Sequence, residues 1–234
     1  MSFRFKQFTV EDDLSSMRVG TDSVLLGSWI KADNALEIMD IGTGCGIIAL
    51  MMAQKSKASI TAIDIDRDSA SQASRNFGSS PWTGRMMALN VSFMDFVNHH
   101  NGQFDLITAN PPWFSNSLKS PHRSRNIARH DDLLKPDDLF SGVKKLLTQN
   151  GSFYIIIPAD SASSTALTAR EYSLFLNRQM IVRPKPEKDP NRILMEFSFT
   201  APDQLFTEEI TIRNSDNSFT DAYLAMTKDF YLDF

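Results

Sequence analysis

MDIGTGCGIIALMMA, residues 39–53, is the stretch on which the reading of this chain turns. With the residues before it, ALEIMDIG (35–42) forms a short apolar run closed by glycine, as a buried parallel strand does. GIIALMMAQKS (46–56) then has the length and composition of a helix. Between them, Gly42, Gly44 and Gly46 let the backbone turn tightly and approach a ligand closely, while the helix start presents free N–H groups. With Asp40 the spacing is DxGxGxG. That differs from the GxGxxG of dinucleotide enzymes, and the lysine of a phosphate-binding loop is missing. Taken alone, such a turn also fits a purely structural role.

The same alternation continues outward. SITAIDID (59–66) reads as a strand and RDSASQASRNF (67–77) as a helix; RMMALNVSF (85–93) and FDLITA (104–109) read as further strands. KPDDLFSGVKKLLTQNG ends a helix at Gly151, and SFYIIIP (152–158) is the next strand. A helix near 160–177 precedes QMIVRPKP, RILMEFSFT and EEITIRN, probable strands by composition, and FTDAYLAMTKDFYL closes the chain as a short helix. The expected architecture is α/β: a doubly wound, mostly parallel seven-stranded sheet with an antiparallel strand near the C-terminus. One domain over 1–234 is expected, divided into an N-terminal cover (1–34), a cofactor-binding core (35–160) and the C-terminal part of the sheet (161–234).

A chain of 234 residues, 42% hydrophobic and 22% charged, has the bulk properties of a soluble globular domain. Its single cysteine, Cys45, excludes an internal disulfide and fits a reducing cytoplasm, and it reads as a small filler in the glycine loop. The start MSFRFKQFTVEDD lacks the apolar core of a signal peptide, and IIALMMA (47–53) is far short of a membrane span. A net charge of −4 argues against broad nucleic-acid affinity but not against a local patch.

Asp64 stands at the end of its strand, about 20 residues beyond the glycines, where an acidic side chain takes both ribose hydroxyls in sheets of this kind. Asp66 competes for that role, or caps the helix that follows. In SFMDF, Asp95 and Phe96 stand where an adenine ring would find a hydrogen-bond partner and apolar cover; alternatively Asp95 is a turn residue. TANPPWF (108–114) ends the fourth strand in a rigid turn, since adjacent prolines cannot continue a strand. At the carboxyl end of such a sheet that turn lies beside the ligand crevice.

Together these features resemble the class I, S-adenosylmethionine-dependent methyltransferases, with a Rossmann-like fold, over roughly residues 18–160 in the family's order. The resemblance implies that Asp40 and the loop of Gly42, Gly44 and Gly46 hold the methionine end of S-adenosylmethionine, Asp64 the ribose and Asp95 the adenine amino group. NPPW resembles the (D/N)PP(Y/F/W) turn of enzymes that methylate planar amino groups. Asn110 and the Pro111 carbonyl would then accept the two N–H bonds of the amine, Pro111 and Pro112 would fix that geometry, and Trp113 would stack on the ring. No metal is implied.

After the turn, SNSLKSPHRSRNIARH (115–130) contains no acidic residue and carries Lys119, Arg123, Arg125 and Arg129. It reads as a phosphate-contacting loop, against the alternative of a solvated loop paired with surface acids. FRFKQFTVEDDLSSMRVGTDSVLLGSWI, NPPW followed by RNIARH, and AMTKDFYL together resemble the bacterial tRNA adenine-N6-methyltransferases that modify position 37 beside a valine anticodon. That family's usual turn is NPPY. Membership implies tRNA as partner, with no DNA and no membrane, and a cytoplasmic monomer. It also implies that RVGTDSVLLG folds over the cofactor with Thr21 and Asp22 near its methionine end, unless these two only cap a helix. Methylation of a protein glutamine at N5 or an rRNA guanine at N2, or a non-catalytic RNA-binding module, are the competing readings.

Overall fold

The computed structural model describes residues 2–15, 18–111 and 134–232. A two-stranded antiparallel hairpin opens the chain, β1 (Ser2–Arg4) with β2 (Thr9–Glu11), followed by α1 (Thr21–Trp29). The main sheet contains β3 (Glu37–Ile41), β4 (Ser59–Asp64), β5 (Met86–Asn90), β6 (Phe104–Ala109), β7 (Leu147–Pro158), β8 (Phe175–Arg183), β9 (Arg192–Ser198) and β10 (Phe206–Thr211). Interleaved are α2 (Ile47–Lys55), α3 (Arg67–Gly78), α4 (Phe93–His99), α5 (Pro136–Leu146), α6 (Ala162–Glu171) and, last, α7 (Asp221–Thr227).

The strand order is β10-β8-β9-β7-β6-β3-β4-β5. Every pairing is parallel except those of β9, which runs antiparallel to both β7 and β8. The expected antiparallel strand is therefore present, but the sheet has eight strands instead of seven. The eighth is β10, the segment read as EEITIRN; it adds in parallel at the edge beyond β8, with Ile210 its one buried residue. The third strand also ends earlier than 85–93, because Ser92 caps α4. The fifth begins earlier than Ser152: Leu147 pairs with Phe104, and the pairing shifts register before Ser152 meets Leu106. The N-terminal hairpin carries too few residues per strand to show a period.

Apolar side chains cover both faces of the sheet, as parallel strands require. On β3, Ile38 belongs to one core while Met39 and Ile41 belong to the other. On β7, Tyr154 and Ile156 face the first, and Phe153, Ile155 and Ile157 the second. Helix α2 is buried from Ile47 through Ala53 because α1 packs over its outer side, which explains why it is apolar all round.

Order reverses at β3, with β4 and β5 on one side and β6 and β7 on the other. A crevice opens outside the carboxyl ends of strands at such a point. The register places the two candidate segments there side by side: Ile41 pairs with Ala109, so Gly42 and Asn110 leave adjacent strands at the same level.

Candidate active site

The glycine loop owes its shape to backbone torsion. Gly42, Gly44 and Gly46 have φ of 67°, 57° and 86°, a region costly for residues with a Cβ. Gly46 has a second reason to be glycine: a Cβ there would sit 2.5 Å from the Phe77 ring and 3.3 Å from Ala73 on α3. At Gly42 a Cβ would meet nothing within 4 Å, so the loop is open on that side.

Asp40 is 1% exposed. Its Oδ2 accepts the Thr43 hydroxyl at 2.6 Å, while its buried Oδ1 has no hydrogen-bond partner. Burial pushes this carboxyl up from 3.8 to about 7, against the opposing Thr43 bond. A buried carboxylate oxygen without a partner beside an open backbone loop suits a cationic ligand group.

Asp64 and Asp66 separate clearly. Asp66 is the N-cap of α3, its Oδ2 accepting from both the backbone N–H and the hydroxyl of Ser69, at 2.9 and 2.7 Å. Asp64 accepts the Gly44 N–H at Oδ2 (2.8 Å) and the Asp66 N–H at Oδ1 (2.9 Å). Burial raises its pKa. Asp64 is thus the carboxylate bound to the glycine loop, and each of its oxygens keeps a further lone pair.

Asp95 lies in the first turn of α4, its N–H donating to Ser92 Oγ at 3.1 Å while its Oδ2 accepts the Ser92 hydroxyl at 2.6 Å. Phe96 beside it is buried. Thr21 and Asp22 begin α1 without capping it: the N-cap is Gly20, which has no side-chain bond. Asp22 instead pairs with Arg192 at 2.8 Å, where β9 starts opposite Pro158 at the end of β7.

Asn110 and Pro111 are half-buried at the end of β6. Asn110 Nδ2 donates to Ser23 Oγ on α1 at 3.1 Å, across 87 positions of sequence. Pro112, Trp113, Lys119, Arg123, Arg125 and Arg129 lie outside the described residues. Among those that are described, the structure brings Asp40, the three glycines, Asp64 and Asn110 to one end of the sheet.

Three contributors went unread in the sequence: Ser23, Arg192 and Asn76. Asn76 is buried on α3, donates to the carbonyls of Cys45 (2.7 Å) and Glu11 (2.8 Å), and accepts the Glu11 N–H (3.0 Å). With Gln72, whose Oε1 accepts the Leu14 N–H at 3.0 Å, it fastens the N-terminal segment to α3 and the glycine loop. Buried polar residues on a helix that also carries Ala70, Ala73 and Phe77 inward were the available signal.

Sheet order, glycine loop and the acidic strand end define the class I methyltransferase fold. A solved structure described as a predicted O-methyltransferase from Agrobacterium tumefaciens superposes with a TM-score of 0.70 at 17% identity, covering 89% of this chain and 96% of that one. Residues 14–173 match the family model described as methyltransferase small domain. The chain is 44% identical over 232 residues to the tRNA1(Val) (adenine(37)-N6)-methyltransferase of Phocaeicola vulgatus, covering 98% of this chain and 97% of that protein. Against the protein of the same name from Trichodesmium erythraeum it is 40% identical, with the same coverage. The chain belongs to the tRNA1(Val) (adenine(37)-N6)-methyltransferase family.

Proposed function

We propose that this protein transfers a methyl group from S-adenosylmethionine to the N6 amine of an adenine in tRNA, at position 37 beside the anticodon. Its setting is the cytoplasm, its working form a monomer, and DNA is not a substrate. Among the described residues no helix is long and apolar enough to cross a membrane. The observation that supports the reading is the register that brings Asn110 and Gly42 off adjacent strands at the same level, at the switch point of the sheet.

Residues at this end of the sheet fit the cofactor. The partnerless Asp40 Oδ1 suits the ammonium of its methionine end, and the open side of the loop at Gly42 leaves room for that end. Asp64 holds the ribose hydroxyls through its remaining lone pairs, and Asp95 and Phe96 receive the adenine. Thr21, Asp22 and the rest of residues 1–34 cover the methionine end. When bound, S-adenosylmethionine supplies an electrophilic methyl group on a sulfonium.

The chain's own contribution is to hold the acceptor. An exocyclic amine on adenine is a poor nucleophile because its lone pair is delocalised into the ring. Hydrogen bonds from its two N–H groups to the Asn110 amide oxygen and the Pro111 carbonyl favour the pyramidal geometry in which the lone pair is localised. Neither oxygen is basic enough to take a proton, so the two act as fixed acceptors; the nitrogen becomes cationic and acidic once the methyl has left the sulfonium, and its proton then goes to solvent. The aromatic Trp113 gives the extruded base a stacking face. Lys119, Arg123, Arg125 and Arg129 contact RNA phosphates.

The test is transfer from labelled S-adenosylmethionine to total tRNA from cells lacking this enzyme, followed by nucleoside analysis. N6-methyladenosine next to an anticodon is the expected product. Label in guanosine, or in protein instead of tRNA, overturns the substrate assignment.

A further inference from the structure

We infer that Ser23 is a positioning residue for the methyl-accepting amine, acting through the amide of Asn110; the inference rests on the role proposed for Asn110 above. An asparagine amide is nearly symmetric in shape but opposite in hydrogen-bonding sense at its two ends: one oxygen that accepts, one nitrogen that donates twice. An adenine amine brings N–H groups, so only the oxygen-presenting state holds it. In the other state two donors face each other, and the amine is repelled instead of bound.

Ser23 favours the productive state. Its Oγ accepts from Asn110 Nδ2 at 3.1 Å, which occupies the nitrogen end and leaves Oδ1 as the acceptor on the opposite edge. Ser23 is 9% exposed and Asn110 half-buried, so water replaces this bond only in part. The turn carrying it is fixed at two further points. Val24 N donates to the Gly20 carbonyl, and the neighbouring Asp22 is paired with Arg192 on β9 at 2.8 Å. The first turn of α1 is thereby tied to two strand ends, β6 through Ser23 and β9 through Asp22. Covering the methionine end of the cofactor requires neither tie to be made by a hydroxyl facing Asn110.

Steady-state kinetics with S-adenosylmethionine and tRNA test this. Ser23→Ala is expected to lower kcat about tenfold, the weight of one buried hydrogen bond, with KM for both substrates within about twofold. Ser23→Thr, which keeps the hydroxyl, is expected to restore kcat. Unchanged kcat in Ser23→Ala, with Asn110→Ala inactive, overturns the inference and leaves the Asn110 reading intact. Near-normal turnover in Asn110→Ala overturns both. Parallel losses in kcat and in binding of either substrate mark Ser23 as merely structural and also overturn it. Should Ser23→Ala fail to fold, the near-isosteric pair Ser23→Thr and Ser23→Val carries the comparison, and equal kcat in the two sinks the proposal.

Discussion

The backbone N–H of Gly44 donates to Asp64 Oδ2 at 2.8 Å, so the end of β4 holds the loop that leaves β3. Asp64 thus shapes the glycine loop, and in the proposed function it also holds the ribose, whereas Asp66 caps α3. Asp64→Ala is expected to weaken S-adenosylmethionine binding by one to two orders of magnitude, the range for lost hydrogen bonds to a charged group. Asp66→Ala should leave that affinity within about twofold and cost about 1 kcal/mol of stability, as loss of an N-cap does. Titration calorimetry and urea unfolding on both variants check this. A large affinity loss in Asp66→Ala alone would move the ribose to that residue.

Burial raises Asp40 from 3.8 to about 7, which makes its charge state a function of pH and of ligand. Between those values the folded protein keeps a proton that the unfolded chain gives up. This carboxyl's contribution to stability is thus complete below pH 3.8 and is lost as pH rises through about 7. Asp40→Asn removes the dependence, so without cofactor the variant should melt higher than the parent at pH 8. A cationic methionine end favours the ionised form, so binding of S-adenosylmethionine near pH 6 should release a proton. The binding enthalpy of the parent should then vary with the ionisation enthalpy of the buffer, and that of Asp40→Asn should not. A buffer-independent enthalpy in the parent would remove Asp40 from the site.

Asn76 joins three pieces of backbone that sequence places far apart: Glu11, Cys45 and its own helix α3. Truncation leaves the Cys45 carbonyl short of a donor in a buried setting and removes both bonds to the Glu11 backbone. Asn76→Ala is expected to cost about 2–3 kcal/mol in urea unfolding and to expose the N-terminal hairpin to limited proteolysis before the core. A loss below about 0.5 kcal/mol would mean that the N-terminal segment is held by its other contacts, Phe8 on Trp82, Phe5 on Tyr231 and the Leu14 N–H on Gln72.

The parts of the site legible in the sequence are those whose chemistry is local. Positive φ at Gly42, Gly44 and Gly46 comes from residues that tolerate it, and the alternation of strand and helix that puts Asp64 and Asn110 at strand ends follows from apolar runs. What escaped is non-local. Ser23 is one serine among many until α1 is laid against β6, and Arg192 is only the first residue of the strand RILMEFSFT until β9 reverses direction and brings it to Asp22. Spacing could not separate Asp64 from Asp66, because both stand at the same strand-to-helix junction; in the structure the Ser69 bonds make Asp66 the cap of α3, while Asp64 bonds the Gly44 N–H. The eighth strand was legible as EEITIRN; what the sequence did not show is that it joins the main sheet, since a parallel edge position beyond β8 is a non-local pairing.

The basic segment 115–130 supplies the last prediction, and salt is the variable that isolates it. A protein that neutralises phosphates releases counterions, so its log–log salt slope reports the number of contacts, at about 0.7 per contact for a single strand. Arg123→Ala with Arg125→Ala should raise KM for tRNA and reduce that slope by roughly 1 to 2. Affinity for S-adenosylmethionine should stay constant, because Asp40, the glycines and Asp64 are elsewhere on the chain. Filter binding to tRNA at several salt concentrations measures the slope, and single-turnover kinetics at saturating tRNA separate binding from chemistry. An unchanged slope would mean that these arginines are solvated or paired with surface acids, and the RNA footprint would have to lie on another part of the catalytic end.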